Sequence, residues 1–220
     1  MPVRTVLSPA LAAAALAFST ASHAGEVYGN IGLPGLMIGY AHAVNDRLTL
    51  RADVASIGSI SADGREEGIE YDGKARLNRA GLFADWFVFG SGGFRLTGGI
   101  TINDMRINLR AQGSGQTVHI GDTDYVLSAD DRLNVRVKFP TVTPYIGIGW
   151  GHQPQGTGWG FVADLGASIG KAKVRGKATG PTLDNPAAQE DFRKELDELR
   201  DGVGKVRFVP QLSIGVSYRF

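Results

Sequence analysis

With 220 residues, no cysteine, and 23 Lys and Arg against 22 Asp and Glu, the chain has neither a disulfide framework nor thiolate chemistry. A net charge of +1 argues against bulk nucleic-acid binding. Mean hydropathy near zero, with no apolar run of helical spanning length, excludes a helical membrane protein.

The chain opens with Arg4, the Ala- and Leu-rich stretch Val6 to Phe18, and the small-x-small triplet Ser22-His23-Ala24 before Gly25. That order is a secretory signal peptide over 1–24. The apolar run is too short to span a bilayer, and Pro9 interrupts it. Cleavage after Ala24 leaves one domain, 25–220, in which bases and acids balance at 22 each. The 31 glycines are spread through alternating segments, where glycine relieves crowding in a narrow lumen and permits bends and bulges.

A period of two recurs along this domain, so alternate residues share a face. Val27 to Leu33 reads as a first strand, Pro34-Gly35 as a turn, and Leu36, Ile38 and Tyr40 as its return partner, which stops at Val44 to Arg47. Leu48, Leu50, Ala52 and Val54 then alternate with Thr49, Arg51 and Asp53, and the polar stretch 59–70 reads as a loop. Over 71–89, Ala80, Leu82, Ala84, Trp86 and Val88 make one face, with Gly81, Phe83, Asp85 and Phe87 on the other. After a tight turn at Gly90 to Gly93, Phe94, Leu96, Ile100 and Ile102 alternate with Arg95, Thr97 and Thr101. The polar run 111–131 reads as a second long loop, with a short extended piece at Val118 to Ile120.

Leu133, Val135, Val137 and Phe139 are apolar at odd positions, whereas Ile146, Ile148 and Trp150 are apolar at even ones. The flip across Pro140 to Pro144 predicts a β-bulge. Trp159, Phe161, Ala163, Leu165 and Ile169 then oppose Asp164, Gly166 and Ser168, and Lys171, Lys173, Arg175 and Lys177 lead into a third long loop. Within that loop, Asn185 to Gly202 has helical spacing: Phe192, Leu196, Leu199 and Val203 make one stripe, with charged residues elsewhere, Pro186 at the start and Gly202 at the stop. One apolar stripe needs one dry surface, which favours a helix against the rim over a plug.

The final strand is the clearest. Leu212, Ile214, Val216, Tyr218 and Phe220 alternate with Ser213, Gly215, Ser217 and Arg219. An apolar face opposite a polar, Gly-bearing one, ending on an aromatic residue, suits a barrel strand between lipid and lumen. The whole predicts an all-β fold: a transmembrane antiparallel up-and-down β-barrel of about eight strands, with one amphipathic helix in the last long loop. Short turns at 44–47, 90–93 and 151–158 alternate with long loops, the periplasmic and external ends of this class. The Pro34-Gly35 turn is the exception, being short on the long-loop side. Trp86, Phe87, Phe89, Phe94, Trp150, Trp159, Tyr218 and Phe220 gather at the short turns, as an interfacial girdle does.

Ser213 to Phe220, with Pro144-Tyr145-Ile146-Gly147-Ile148-Gly149-Trp150-Gly151 and Asp164-Leu165-Gly166, resembles the small proteobacterial outer-membrane proteins of the porin-like or ornithine-uptake type. The resemblance covers the last third. It implies residence in the outer membrane of a Gram-negative envelope, among lipids and lipopolysaccharide, and Tyr218 and Phe220 as the signal read by the barrel-assembly machinery. It carries no catalytic residue.

Parity puts Arg51, Asp53, Asp85, Arg95, Asp164 and Arg219 on the lumen face. Buried charges must be paired, and an eight-stranded interior is just wide enough for side chains to fill. A structural charge network is favoured over a selectivity lining for a small charged solute. The expected function is non-enzymatic: supporting the envelope or passing small solutes. A lipid A deacylase or acyltransferase needs a base and a nucleophile near the external rim. His42 and His152 lie beside short turns, and His119 stands in a long loop beside Thr117 and Asp122. A surface adhesin acting through its loops is the third class. Asp122-Thr123-Asp124 and Asp130-Asp131 read as loop acids rather than a calcium cage, so neither metal nor cofactor is expected.

Overall fold

A computed structural model describes residues 25–66, 69–90, 92–113, 115, 117–204 and 207–220; the signal peptide assigned to 1–24 lies outside them. The strands are β1 (Gly25–Leu33), β2 (Gly35–Asn45), β3 (Leu48–Glu66), β4 (Ile69–Trp86), β5 (Phe94–Gln112), β6 (Thr117–Ile120), β7 (Thr123–Val126), β8 (Arg132–Lys138), β9 (Val142–Trp150), β10 (Gly158–Ile169), β11 (Lys173–Thr179) and β12 (Phe208–Arg219), with one helix, α1 (Pro186–Gly204). Eight of them close a ring in the order β1-β2-β3-β4-β5-β9-β10-β12, and β12 pairs back onto β1. Each neighbour is the next wall strand in sequence and every pairing is antiparallel. This is an up-and-down barrel, which leaves no open edge around the ring.

The barrel wears its apolar face outside. Leu212, Ile214, Val216, Tyr218 and Phe220 are exposed, while Ser213, Ser217 and Arg219 are buried. Leu36, Ile38, Leu50, Val54, Leu82, Ile100, Ile146, Leu165 and others continue the exposed band around the ring. The barrel segments of β5 and β9 are nine residues each, Phe94 to Ile102 and Val142 to Trp150, close to the roughly 9–11 that a tilted strand needs to cross a bilayer. Trp86, Trp150, Trp159, Tyr218 and Phe220 are exposed at the short-turn end, and the Trp159 and Tyr218 rings meet edge-on at 5.3 Å. Phe87 departs from the expected girdle: it is fully buried, because it keeps the inward parity of Phe83 and Asp85.

The Pro34-Gly35 turn is real, with β1 and β2 fully paired on either side, so the strand number stays even. On the opposite wall the strands run far past the barrel. Of residues 59–70, expected as a loop, 59–66 continue β3 and 69–70 open β4, paired to Glu66↔Ile69. Strand β4 accordingly covers 69–86 rather than 71–89. Strand β5 runs on to Gln112, and the rest of the expected second loop holds the β6–β7 hairpin. Strand β8 pairs with the upper half of β5, and β11 pairs with β8. The result is a five-stranded wall, β3-β4-β5-β8-β11, rising above one side of the mouth.

The predicted bulge between β8 and β9 is absent. Arg106↔Lys138 and Ile102↔Val142 belong to one unbroken register on β5. The parity of apolar residues flips because the surroundings change, not because a residue is inserted. Bulges occur instead at Ala43/Asn45 and Ser56/Gly58.

Helix α1 covers the inner face of the wall. Asn185 caps it, its side chain accepting the Ala187 N–H at 3.0 Å, and it runs past Gly202 to Gly204. Ala188, Phe192 and Leu196 pack with Val174, Ala178, Ile120, Leu127 and Leu183 into a small apolar core, whereas Leu199 of the expected stripe is exposed. A side chain at Gly176 would strike Leu196, so the close approach of helix and strand depends on that glycine. Gln189 and Arg200 donate to the Ala178, Leu183 and Val174 carbonyls, and the helix thereby covers a sheet edge that would otherwise stay open.

Candidate functional site

Inward-facing residues fill the barrel in tiers. Nearest the short-turn end, Glu26 at the start of β1 binds both Arg219 and His152. The His152 backbone is held in the left-handed region at φ 60°, uncommon for a residue with a side chain. Thr49 Oγ1 donates to the His152 carbonyl at 3.2 Å, and Arg219 donates to the Gln155 carbonyl at 2.6 Å. These contacts fasten the 151–157 turn across the barrel end.

The next tier is a four-membered ion-pair ring drawn from four strands. Arg51 on β3 binds Asp85 on β4 and, at 3.1 Å, Asp164 on β10. Arg95 on β5 binds the same two carboxylates, Asp85 at 3.1 Å and Asp164 at 2.7 Å. It also donates to Thr97 at 2.7 Å and to the Gly151 carbonyl at 3.2 Å. Both arginines are buried, and Arg95 and Asp85 are wholly so, at 0% exposure. Buried ions cost several kcal/mol each unless geometry and extra hydrogen bonds offset the lost hydration; alternating the signs around a closed ring meets that demand.

Above it, Arg79 on β4 pairs with Asp53 at 2.6 Å and binds Gln211, and Gln211 donates to Ser168 at 2.6 Å. The Tyr28 hydroxyl donates to Asp53 at 3.2 Å. The Phe83 ring lies 5.1 Å from the Arg51 guanidinium and 5.3 Å from that of Arg79, within reach of a cation–π contact. A last tier of Thr101, Asn103, Thr143 and Ser168 is knitted by hydrogen bonds of 2.8–3.2 Å. Glycines make room for these long side chains: a methyl group at Gly149 would fall 2.5 Å from the Arg95 guanidinium, and one at Gly166 would fall 2.2 Å from the Tyr145 hydroxyl. The cavity left among Arg51, Asp53, Arg79, Asp164 and Tyr145 measures about 10 Å³, room for about one water.

All six charges assigned to the lumen from parity face inward. Four of them, Arg51, Asp85, Arg95 and Asp164, form one cluster; Asp53 pairs instead with Arg79, and Arg219 with Glu26. The sequence reading leaves out Arg79 and Glu26, and it takes His152 only as a residue beside a short turn. The first two share parity with Phe83 and Tyr28, so alternation carried the signal; His152 lies beyond its strand, where alternation carries none.

At the long-loop end, His119 sits on the exposed β6–β7 hairpin with Nδ1 2.8 Å from Asp124. The Asp131 oxygens accept N–H groups of Ser128, Thr182 and Leu183 at 2.7–3.3 Å, tying β8 to the segment before α1. Burial works to raise the Asp131 pKa, and these donors outweigh it, holding the carboxyl below its usual range. Tyr125 donates to Asp191 at 2.8 Å, which lowers the Asp191 pKa.

No family model and no curated protein sequence matches the chain. Among solved structures, it is similar to CarO of Acinetobacter baumannii, with a TM-score of 0.59 and 19% identity over 89% of this chain and 97% of that one. It is also similar to CarO2 of the same organism, with a TM-score of 0.60 and 20% identity over 90% of this chain and 99% of that one. At such identity the shared property is the fold.

Proposed function

We propose that the protein is an integral outer-membrane β-barrel whose lumen is closed by its own ion pairs, a non-enzymatic envelope component that displays a folded wall outside the cell. The carrying observation is the ring of Arg51, Asp85, Arg95 and Asp164, in which each charge is already met by two opposite ones. The apolar exterior and the fold shared with CarO support the membrane assignment. Short turns at one end and long connections at the other favour an external wall and α1, as in barrels with short periplasmic turns and long external loops.

A narrow path for a small charged solute is the second reading, favoured by one detail: Arg51 and Arg95 share both carboxylates, so a zwitterion could exchange for one member of the ring. Planar-bilayer recording separates the two. Insertion is first verified by the different gel mobility of unboiled and boiled samples, which a closed barrel gives. The closed reading expects no conductance steps from the inserted protein. Regular steps whose size changes in Asp85→Asn would overturn it in favour of the solute path.

A further inference from the structure

The outer face of the wall concentrates positive charge that the closed lumen leaves unexplained. Lys138 on β8 lies directly opposite Lys173 on β11, and on the next outward rung Arg136 lies opposite Arg175. Neighbouring strands are about 4.8 Å apart, and like charges set opposite one another destabilise a sheet. Among the described residues, none of these four holds an ion pair. Asp104, the acid on that face of β5, is engaged by Arg76 at 3.6 Å and by Arg106 at 3.3 Å. The acids of α1 lie behind the sheet, on the helix that packs against its inner face.

The four bases are not scattered over a flat surface. With Pro140 and Thr141 they line a recess of about 420 Å³, where β8 gives way to β9. Immediately below, Val142 and Ile102 begin the exposed apolar band. A basic recess on top of a lipid-facing strip matches an amphiphile with anionic groups at its head and acyl chains beneath. A soluble anion would use the bases and leave the strip irrelevant.

We propose that this recess binds the phosphate groups of a phosphorylated outer-leaflet glycolipid, the lipid A class, with its acyl chains laid along the strip of β9 and β10 below β8 and β11. The assignment rests on the outer-membrane reading above. Bound phosphate removes the repulsion between Lys138 and Lys173 and between Arg136 and Arg175, and seats the barrel at a fixed depth.

The test uses the full barrel refolded in phosphatidylcholine vesicles, with divalent cations chelated so that they cannot bridge phosphates. Bisphosphorylated and dephosphorylated lipid A are compared as probes, with inorganic tripolyphosphate as a soluble anion. The bisphosphorylated form should bind far better than the dephosphorylated one. Its affinity should fall on the order of 100-fold in Lys138→Gln/Lys173→Gln/Arg175→Gln, counting roughly fivefold per base at a membrane surface. Arg193→Gln on α1 should leave it unchanged. Equal binding of the two lipid A forms would overturn the proposal, as would a folded triple variant with undiminished affinity. Tripolyphosphate binding as tightly as lipid A would give the face to a soluble anion instead. If the triple variant fails to fold, the two lipid A forms on the unaltered protein decide alone. Failure of the unaltered protein to enter vesicles would remove the membrane reading itself; insertion without lipid preference would remove only the site.

Discussion

Strand β5 meets two environments, and its two halves are built in opposite senses. From Phe94 to Ile102 it turns Leu96, Ile100 and Ile102 outward and Arg95, Thr97 and Thr101 inward. From Asp104 to Gln112 the same outward parity carries Asp104, Arg106, Asn108 and Arg110, and the inward parity carries Met105, Ile107 and Leu109. Strand β4 inverts likewise between Ala80 and Asn78, as does the β9–β8 line between Val142 and Lys138. Backbone register is continuous across the change. The chemistry of a face therefore follows what it meets: hydrocarbon outside and packed ions inside at one level, water outside at the next, with the apolar core lying behind β8 and β11 while Ile107 and Leu109 of β5 stay exposed.

The barrel half is where a lost charge should cost most. Arg95→Ala strands Asp85 and Asp164 with one arginine between them, and breaking a buried pair costs about 3–5 kcal/mol. Urea unfolding from lipid vesicles should register that loss; a change under about 1 kcal/mol would mean that the tier is hydrated and not closed. Next in size is a paired test on one face of one strand. Ile100→Arg puts a charge into the lipid band at about 2–4 kcal/mol, whereas Arg110→Leu, higher on the same face, should stay within about 0.5 kcal/mol. Similar costs for the two would erase the distinction between the halves.

The smallest expected effect belongs to the wall. Asp131 holds its carboxyl below the usual aspartate value, so its contribution is complete above about pH 4 and is lost as pH falls through the lower folded value. Asp131→Asn should weaken the wall by about 1–2 kcal/mol at neutral pH and flatten its acid dependence. Near-ultraviolet circular dichroism of the wall's tyrosines on acidification checks both. A wild-type wall that melts identically at pH 6 and pH 3 would remove this role from Asp131.

Alternation was enough to read the ring from the sequence, because each barrel strand separates two unlike media and Leu212 to Phe220 does so without interruption. The same signal placed Arg51, Asp53, Asp85, Arg95, Asp164 and Arg219 indoors. Which carboxylate meets which arginine depends on the stagger between strands, and period two is blind to that, so the partnership of Asp53 with Arg79 was not legible. The wall was misread for a related reason. Periodicity marks two faces without saying what each one touches, and the inversion at Pro140 therefore looked like an inserted residue. The polar run 59–70 looked like a loop because its apolar partners are sparse once no lipid is present outside.

One register carries two opposite faces, divided just above Ile102. The chain has no cysteine, so single nitroxide labels can be placed through cysteine substitution along β5 in the vesicle-inserted protein. Collision with lipid-soluble oxygen and with a water-soluble nickel chelate then reports the surroundings of each site. Positions 96, 100 and 102 should favour oxygen, positions 106, 108 and 110 the chelate, with the crossover near 104. Oxygen preference continuing through 110, or no difference between 100 and 110, would show that the outer face of β5 does not divide there.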